Sequence, residues 1–188
     1  MSETHETDTP DAGLIAYQNG DYATALKEWQ QRAQNGHAQA MHNIGILYQQ
    51  GLGTTIDETL AEEWIRKAAV AGLASAQTHL AYLLMQDERH QEARLWWEQA
   101  AEQNDADAQN ELGLLYHHGI GLERDDDTAA DFFEAAAIQG HVGAQFNLGV
   151  LYANGRRYNH ARHWWEKAAA LGSEDAHNAL NKLVEMGI

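Results

Sequence analysis

Apolar residues recur along most of this chain at steps of three and four, the spacing that gathers side chains on one face of an α-helix. In EARLWWEQAA, residues 92–101, Ala93, Trp97, Ala100 and Ala101 form one such stripe, and Trp96 adds the neighbouring sector. Polar residues fill the positions between. The stripes and their boundary residues predict helices over residues 10–18, 21–35, 38–50, 57–71, 74–86, 89–103, 106–118, 126–139, 142–153, 158–171 and 174–186. Gly36, Gly72, Gly140 and Gly172 stand where a helix would end on a left-handed residue, with Asn104 in a fifth such place. Ser173 is placed to cap the last helix, with Glu174 and Asp175 in its first turn. Thr9 and Pro10 are placed to open the first.

The stripes are copies of one another. AMHNIG (40–45), AQTHLA (76–81), AQNELG (108–113), AQFNLG (144–149) and AHNALN (176–181) follow at spacings of 36, 32, 36 and 32 residues. Glu28-Trp29, Trp64-Ile65, Trp96-Trp97, Phe132-Phe133 and Trp164-Trp165 keep the same register, each with an alanine three residues ahead. The phrase ARLWWEQAA at 93–101 therefore returns 68 residues later as ARHWWEKAA at 161–169. The extra four residues of the long units lie in YQQGLGTTIDE (48–58) and YHHGIGLERDD (116–126). The short units carry LMQDERHQE (84–92) and YANGRRYNH (152–160) there, so the insertion falls in the turn inside a hairpin. Gly51, Gly53, Gly119 and Gly121 permit the backbone such a turn needs.

One hairpin cannot bury its own apolar face, so repeated hairpins must stack. The fold class expected is all-α: a right-handed α-solenoid of stacked antiparallel helix hairpins. About five repeats would fill residues 10–188 and end in a capping helix, after a flexible acidic tail at 1–9. Trp29, Trp64, Trp96, Trp97, Phe132, Phe133, Trp164 and Trp165 are expected at the structural seams. Gly45, Ala81, Gly113 and Gly149 on the first helices would let those seams close tightly.

Composition narrows the function more than the fold. Among the 188 residues, 28 acids against 12 bases give a formal charge of −16, which disfavours a phosphate-backbone ligand and an anionic membrane surface. It favours a basic partner if one is charged. Without cysteine there is neither a disulfide framework nor thiol chemistry. MSETHETDTPD has no basic n-region or apolar h-region, and no apolar run is long enough to span a bilayer, so a cytoplasmic location is expected.

The repeated pattern resembles the Sel1-like repeat, a relative of the tetratricopeptide repeat. Its parts are Ala-x-x-x-Leu-Gly-x-x-Tyr, a Gly-x-Gly turn, an alanine three before an aromatic pair, then Ala-Ala and Gly. The clearest copies are AQNELGLLYHHGIGLERDDDTAADFFEAAAIQG (108–140) and AMHNIGILYQQGLGTTIDETLAEEWIRKAAVAG (40–72). The short units lack the Gly-x-Gly turn, Leu84 replaces the usual tyrosine, and Asn181 replaces the glycine of the last copy. The resemblance implies an adaptor or receptor in protein complexes, often bacterial, and implies it at fold level only.

No catalytic constellation accompanies the repeats. There is no P-loop, dinucleotide fingerprint, nucleophile elbow or His-Glu-x-x-His. His117 and His118 are adjacent and so diverge on a helix, and His160 and His163 have no third ligand at a suitable spacing. Asp125-Asp126-Asp127 lacks the glycine and glutamate of a calcium loop and suits a helix start. The chain is expected to be no enzyme and to take no cofactor or metal. The function expected is a protein-binding scaffold or adaptor that recognises another protein in the groove of the solenoid. The alternatives are an acidic, immunity-type inhibitor of a basic partner and a carboxylate-dependent enzyme; self-association through the solenoid ends is a further option. Polar and amphipathic positions of the first helices are the candidate groove: His42, Asn43, Gln49, Thr78, His79, Gln86, Asn110, Glu111, His118, Phe146 and Asn147. Asn43 and Asn147 could equally bond neighbouring units together.

Overall fold

A computed structural model describes residues 11–188. Among them are eleven helices and no strand: α1 (Ala12–Gln18), α2 (Tyr22–Gln34), α3 (Ala38–Gln50), α4 (Glu58–Val70), α5 (Ala74–Gln86), α6 (His90–Glu102), α7 (Ala106–His118), α8 (Asp126–Ile138), α9 (Val142–Asn154), α10 (Tyr158–Ala170) and α11 (Glu174–Glu185). Each predicted helix is present, with ends within two residues of the sequence expectation. The tail at 1–9 and the Thr9–Pro10 opening lie outside the described residues. The first described helix is capped instead by Asp11, whose carboxylate accepts from the Gly13 and Leu14 amides at 3.0 and 3.2 Å. Ser173 caps α11 as expected, accepting from the Ala176 amide.

Two compact units divide the chain, one ending at Leu80 and the other beginning at Ala81, so the division falls inside α5. In the first, α1 packs with α2, α2 with α3 and α3 with α4. In the second, α6 packs with α7, α7 with α8, α8 with α9, α9 with α10 and α10 with α11.

The turns explain the two periods. The connections after α3 and α7 are long, and each begins on a left-handed glycine, Gly51 or Gly119. Each closes on a tyrosine carbonyl: the Asp57 amide donates to Tyr48 at 3.1 Å, and Asp125 donates to Tyr116 at 2.9 Å. The next aspartate function is capping, since Asp57 and Asp125 then hold the first turns of α4 and α8. The short turns before α6 and α10 put Glu88 and Arg156, rather than a glycine, at positive φ.

Packing inside a hairpin rests on a small residue facing a large one. A Cβ placed on Gly149 would lie 2.3 Å from Nε1 of Trp165. Gly13 meets Trp29 in the same way at 2.4 Å, and Gly45 meets Ile65 and Gly113 meets Phe133 at 2.6 Å each. In these four hairpins the first helix is therefore pressed against the second residue of the pair. The two members of a pair also part company. Trp165 packs with Ala161, Ala168, Ala176 and Leu183, whereas Trp164 joins the cluster of Ala129, Phe133, Ala136 and Leu148. In the first unit Trp64 likewise leans on the cluster of Trp29, Ile44 and Leu47.

Candidate functional site

The first helices carry the groove residues expected from the sequence, and the structure sorts them. His42, Thr78 and Asn110 are buried. Asn43, Gln49, His79, Glu111, Phe146 and Asn147 are half-buried, and only Gln86 and His118 of the set are exposed. Several members use their polar atoms on each other. His42 Nε2 and His79 Nδ1 are 3.0 Å apart, joining α3 to α5 inside the first unit. In the second unit the Asn147 amide donates to Asn110 Oδ1 at 3.0 Å, Asn110 donates to Glu111 at 3.2 Å, and the Tyr82 hydroxyl donates to the same Glu111 oxygen at 3.1 Å. Asn43 accepts from Gln39 of its own helix at 2.9 Å. Tyr82 was not anticipated as part of this chain. Its partner lies 29 residues away, beyond any local pattern.

Electrostatics follow burial. Burial raises the Glu111 carboxyl pKa, against the two hydrogen bonds that favour its charged form. Burial, then the neighbouring Glu111, raises the Tyr82 hydroxyl pKa as well. At the foot of α7, His117 Nδ1 lies 2.8 Å from Asp126, and Arg124 and then His117 hold that carboxyl below its ordinary range.

The His42–His79 pair makes the first unit acid-sensitive. His42 is 8% exposed, and burial, then repulsion from His79, lowers its pKa to about 4. Burial lowers His79 too. The unfolded chain thus binds protons that the folded chain refuses as pH falls below about 6.5, so stability rises with pH through the window from about 4 to 6.5. Chemical denaturation should find about 2 kcal/mol less stability at pH 5 than at pH 7 from His42 alone. His42→Gln should flatten that slope; an unchanged slope would place the sensitivity elsewhere.

Three of the sequence candidates do meet. His118, Phe146 and Asn147 line a cleft of about 150 Å³ between α7 and α9, with Leu114, Phe133 and Val150. Small-molecule sites run to roughly 300–1,000 Å³, so this cleft fits a single side chain better than a metabolite. Leu114, Phe133, Phe146 and Val150 give it apolar walls, and the imidazoles of His117 and His118 and the Asn147 amide complete its lining. Among the described residues no three His, Asp or Glu side chains gather to hold a metal, and no helix is long and apolar enough to cross a membrane.

Comparison with known proteins bears on the whole of this arrangement. The Sel1 repeat family model matches residues 38–73, 74–105, 106–141 and 142–173. An uncharacterised protein of Neisseria meningitidis, NMB1327, is 34% identical over 164 residues, covering 85% of this chain and 35% of its own length. HRD3B of Arabidopsis thaliana, an ERAD-associated E3 ubiquitin-protein ligase component, is 35% identical over 100 residues, covering 50% of this chain and 15% of its own. This chain thus spans about a third or less of these curated relatives. Among solved structures, the uropathogenic Escherichia coli antigen c5321, described as an SLR fold, superposes with a TM-score of 0.87 at 30% identity, over 93% of this chain and 40% of that one. A Sel1 repeat protein from Oxalobacter formigenes gives a TM-score of 0.82 at 29% identity, over 92% and 76%. The Pseudomonas aeruginosa immunity protein PA5088 matches at 21% identity with a TM-score of 0.60, a likeness of fold alone.

Proposed function

The chain belongs to the Sel1 repeat family, whose members act as protein-interaction scaffolds, and from that premise we propose that it binds a protein partner on the face of α7 and α9. The α7–α9 cleft carries this reading: it is sized for one side chain, walled by Phe133, Phe146 and Val150, and rimmed by His118 and Asn147. An apolar side chain of the partner fills it, and the rim imidazole and amide bond to polar groups beside that side chain. Asn147 is held in place by Asn110, so its amide is oriented before a partner arrives. HRD3B, an E3 ubiquitin-protein ligase component, lends support as a relative that is itself part of an assembly.

Site-specific photocrosslinking tests the proposal. A benzophenone side chain installed in place of the exposed His118 is expected to trap one discrete partner in the source cell. The same group in place of Glu134, exposed on α8, is expected to trap none. Excess native protein should compete the crosslink away, and excess Phe146→Ala protein should compete poorly. Equal trapping from both positions would count against this face.

A further inference from the structure

A second cleft, of about 500 Å³, opens between α6 and α8. Leu112, Ala135 and the ring of Phe132 line it, and Glu98, Glu102 and Asp131 give it an acidic character. Glu98 is paired with Arg94 at 2.5 Å. Glu102 and Asp131 are exposed and have no cationic partner among the described residues. Phe132 is half-buried, with one face stacked on Tyr116 at 5.7 Å.

The repeats themselves indicate what this cleft lacks. Phe132 is the first aromatic of its pair, equivalent to Trp64 and Trp164. Over each of those rings lies a lysine from three residues further along the same helix: Lys67 over Trp64 at 4.2 Å, and Lys167 over Trp164 at 4.4 Å. The residue three beyond Phe132 is Ala135, which has no charge to offer. The acids are only partly repeated: the Asp131 position holds Glu63 in the Trp64 repeat, whereas the Glu102 position is acidic in no other repeat. One repeat later, the positions of Glu102 and Asp131 are occupied by Ile138 and His163. Of the two first aromatics without such a lysine, Trp96 with Gln99 and Phe132 with Ala135, only Phe132 has acids at these two positions; the corresponding sequence positions for Trp96 hold Val70 and Leu95.

We infer that the α6–α8 cleft receives a basic side chain, arginine in preference to lysine, from a segment of a protein partner. The cation lies over Phe132 where the Trp64 and Trp164 repeats place their own lysine, and Glu102 and Asp131 accept its hydrogen bonds. Arginine is favoured because a guanidinium stacks on a ring while its fork reaches carboxylates. Apolar residues flanking the arginine cover Ala101 and Ala135. The net charge of −16 draws such a segment in, and salt weakens that attraction. The inference rests on the reading of the chain as a protein-binding scaffold and adds a second contact to it.

The test is a titration of the full ¹⁵N-labelled chain with a short helical peptide carrying one arginine flanked by leucines. The expected result is saturable amide shifts concentrated around Glu98–Glu102 and Thr128–Ala135. The same peptide with citrulline, neutral but of the same shape, should produce none. Ala135→Lys restores the in-helix cation and should weaken the peptide by about tenfold, the scale of a partly desolvated cation–aromatic contact. Ala135→Gln should bind as the native chain does. Asp131→Asn, at an exposed position, should also weaken binding and guards against a misfolded Ala135 variant. Equal binding of the citrulline peptide, shifts scattered over the acidic surface, no binding, or full binding by Ala135→Lys would each overturn the inference. Crosslinking at His118 is independent of all these outcomes, so failure here is distinguishable from failure of the scaffold reading.

Discussion

Replacing Trp97 by alanine should remove about 3–5 kcal/mol of stability, the range for truncating a large buried aromatic side chain and leaving a cavity. Trp97 is 1% exposed and meets Tyr82 edge to face at 5.4 Å. Its indole nitrogen is buried without a hydrogen-bond partner, so Trp97→Phe removes an unsatisfied donor along with some packing and should cost much less. Trp165→Ala loses both packing and a bond, since its indole nitrogen donates to the Phe146 carbonyl at 3.1 Å. Repeat proteins are held by nearest-neighbour contacts, so the damage should be local. Hydrogen exchange should show lost protection in α9, α10 and α11 of the Trp165→Ala chain, with α7 near native. Uniform loss across the second unit, or none, would mean that these rings do not join neighbouring elements.

Gly149→Val should be nearly as damaging, about 3 kcal/mol, at the upper end of what overpacking costs. The first added carbon alone would sit 2.3 Å from the Trp165 indole, and neither helix can yield without opening the hairpin. The roughly 1 kcal/mol that a helix gains when glycine leaves its interior is too small to offset this. Gly140→Ala is the control. Its φ of 91° makes any side chain strained, but nothing lies within 4 Å of an added Cβ, so the loss should be only about 1–2 kcal/mol. Urea denaturation of the two variants gives the order, and a larger loss at Gly140 would refute it.

The legibility of this chain follows the range of each interaction. Helix positions could be read because the stripe period, the terminal glycines and the capping acids all act within one or two turns. Asn104 was recognisable as a stand-in for glycine and does adopt φ 63°. Glu88 and Arg156 were not, because nothing local to either residue reveals that a short turn will force a bulky side chain to positive φ. The aromatic pairs were legible as apolar but not as divided, since Trp164 and Trp165 are alike in sequence and differ only in which cluster surrounds them. The groove row was the least legible. Polar residues at helical spacing look the same whether they face a partner or one another, and His42 and Asn110 turned out to be joined to residues 37 positions further along. The α6–α8 cleft left a trace in the sequence after all, the missing lysine at Ala135, but the trace acquires meaning only once Lys67 and Lys167 are seen over their rings.

Those two bonds of equal span, His42 to His79 and Asn110 to Asn147, each begin in a repeat with a long turn. A single repeat is therefore an incomplete copy of the architecture, whereas a long repeat followed by a short one contains each type of turn once and a complete bond of this span. That makes the 68-residue pair the natural cassette of duplication. A gene lengthened or shortened by whole cassettes would preserve each turn beside its proper neighbour, while one altered by a single repeat would set two long or two short turns in succession and lose the alternation on which these bonds depend.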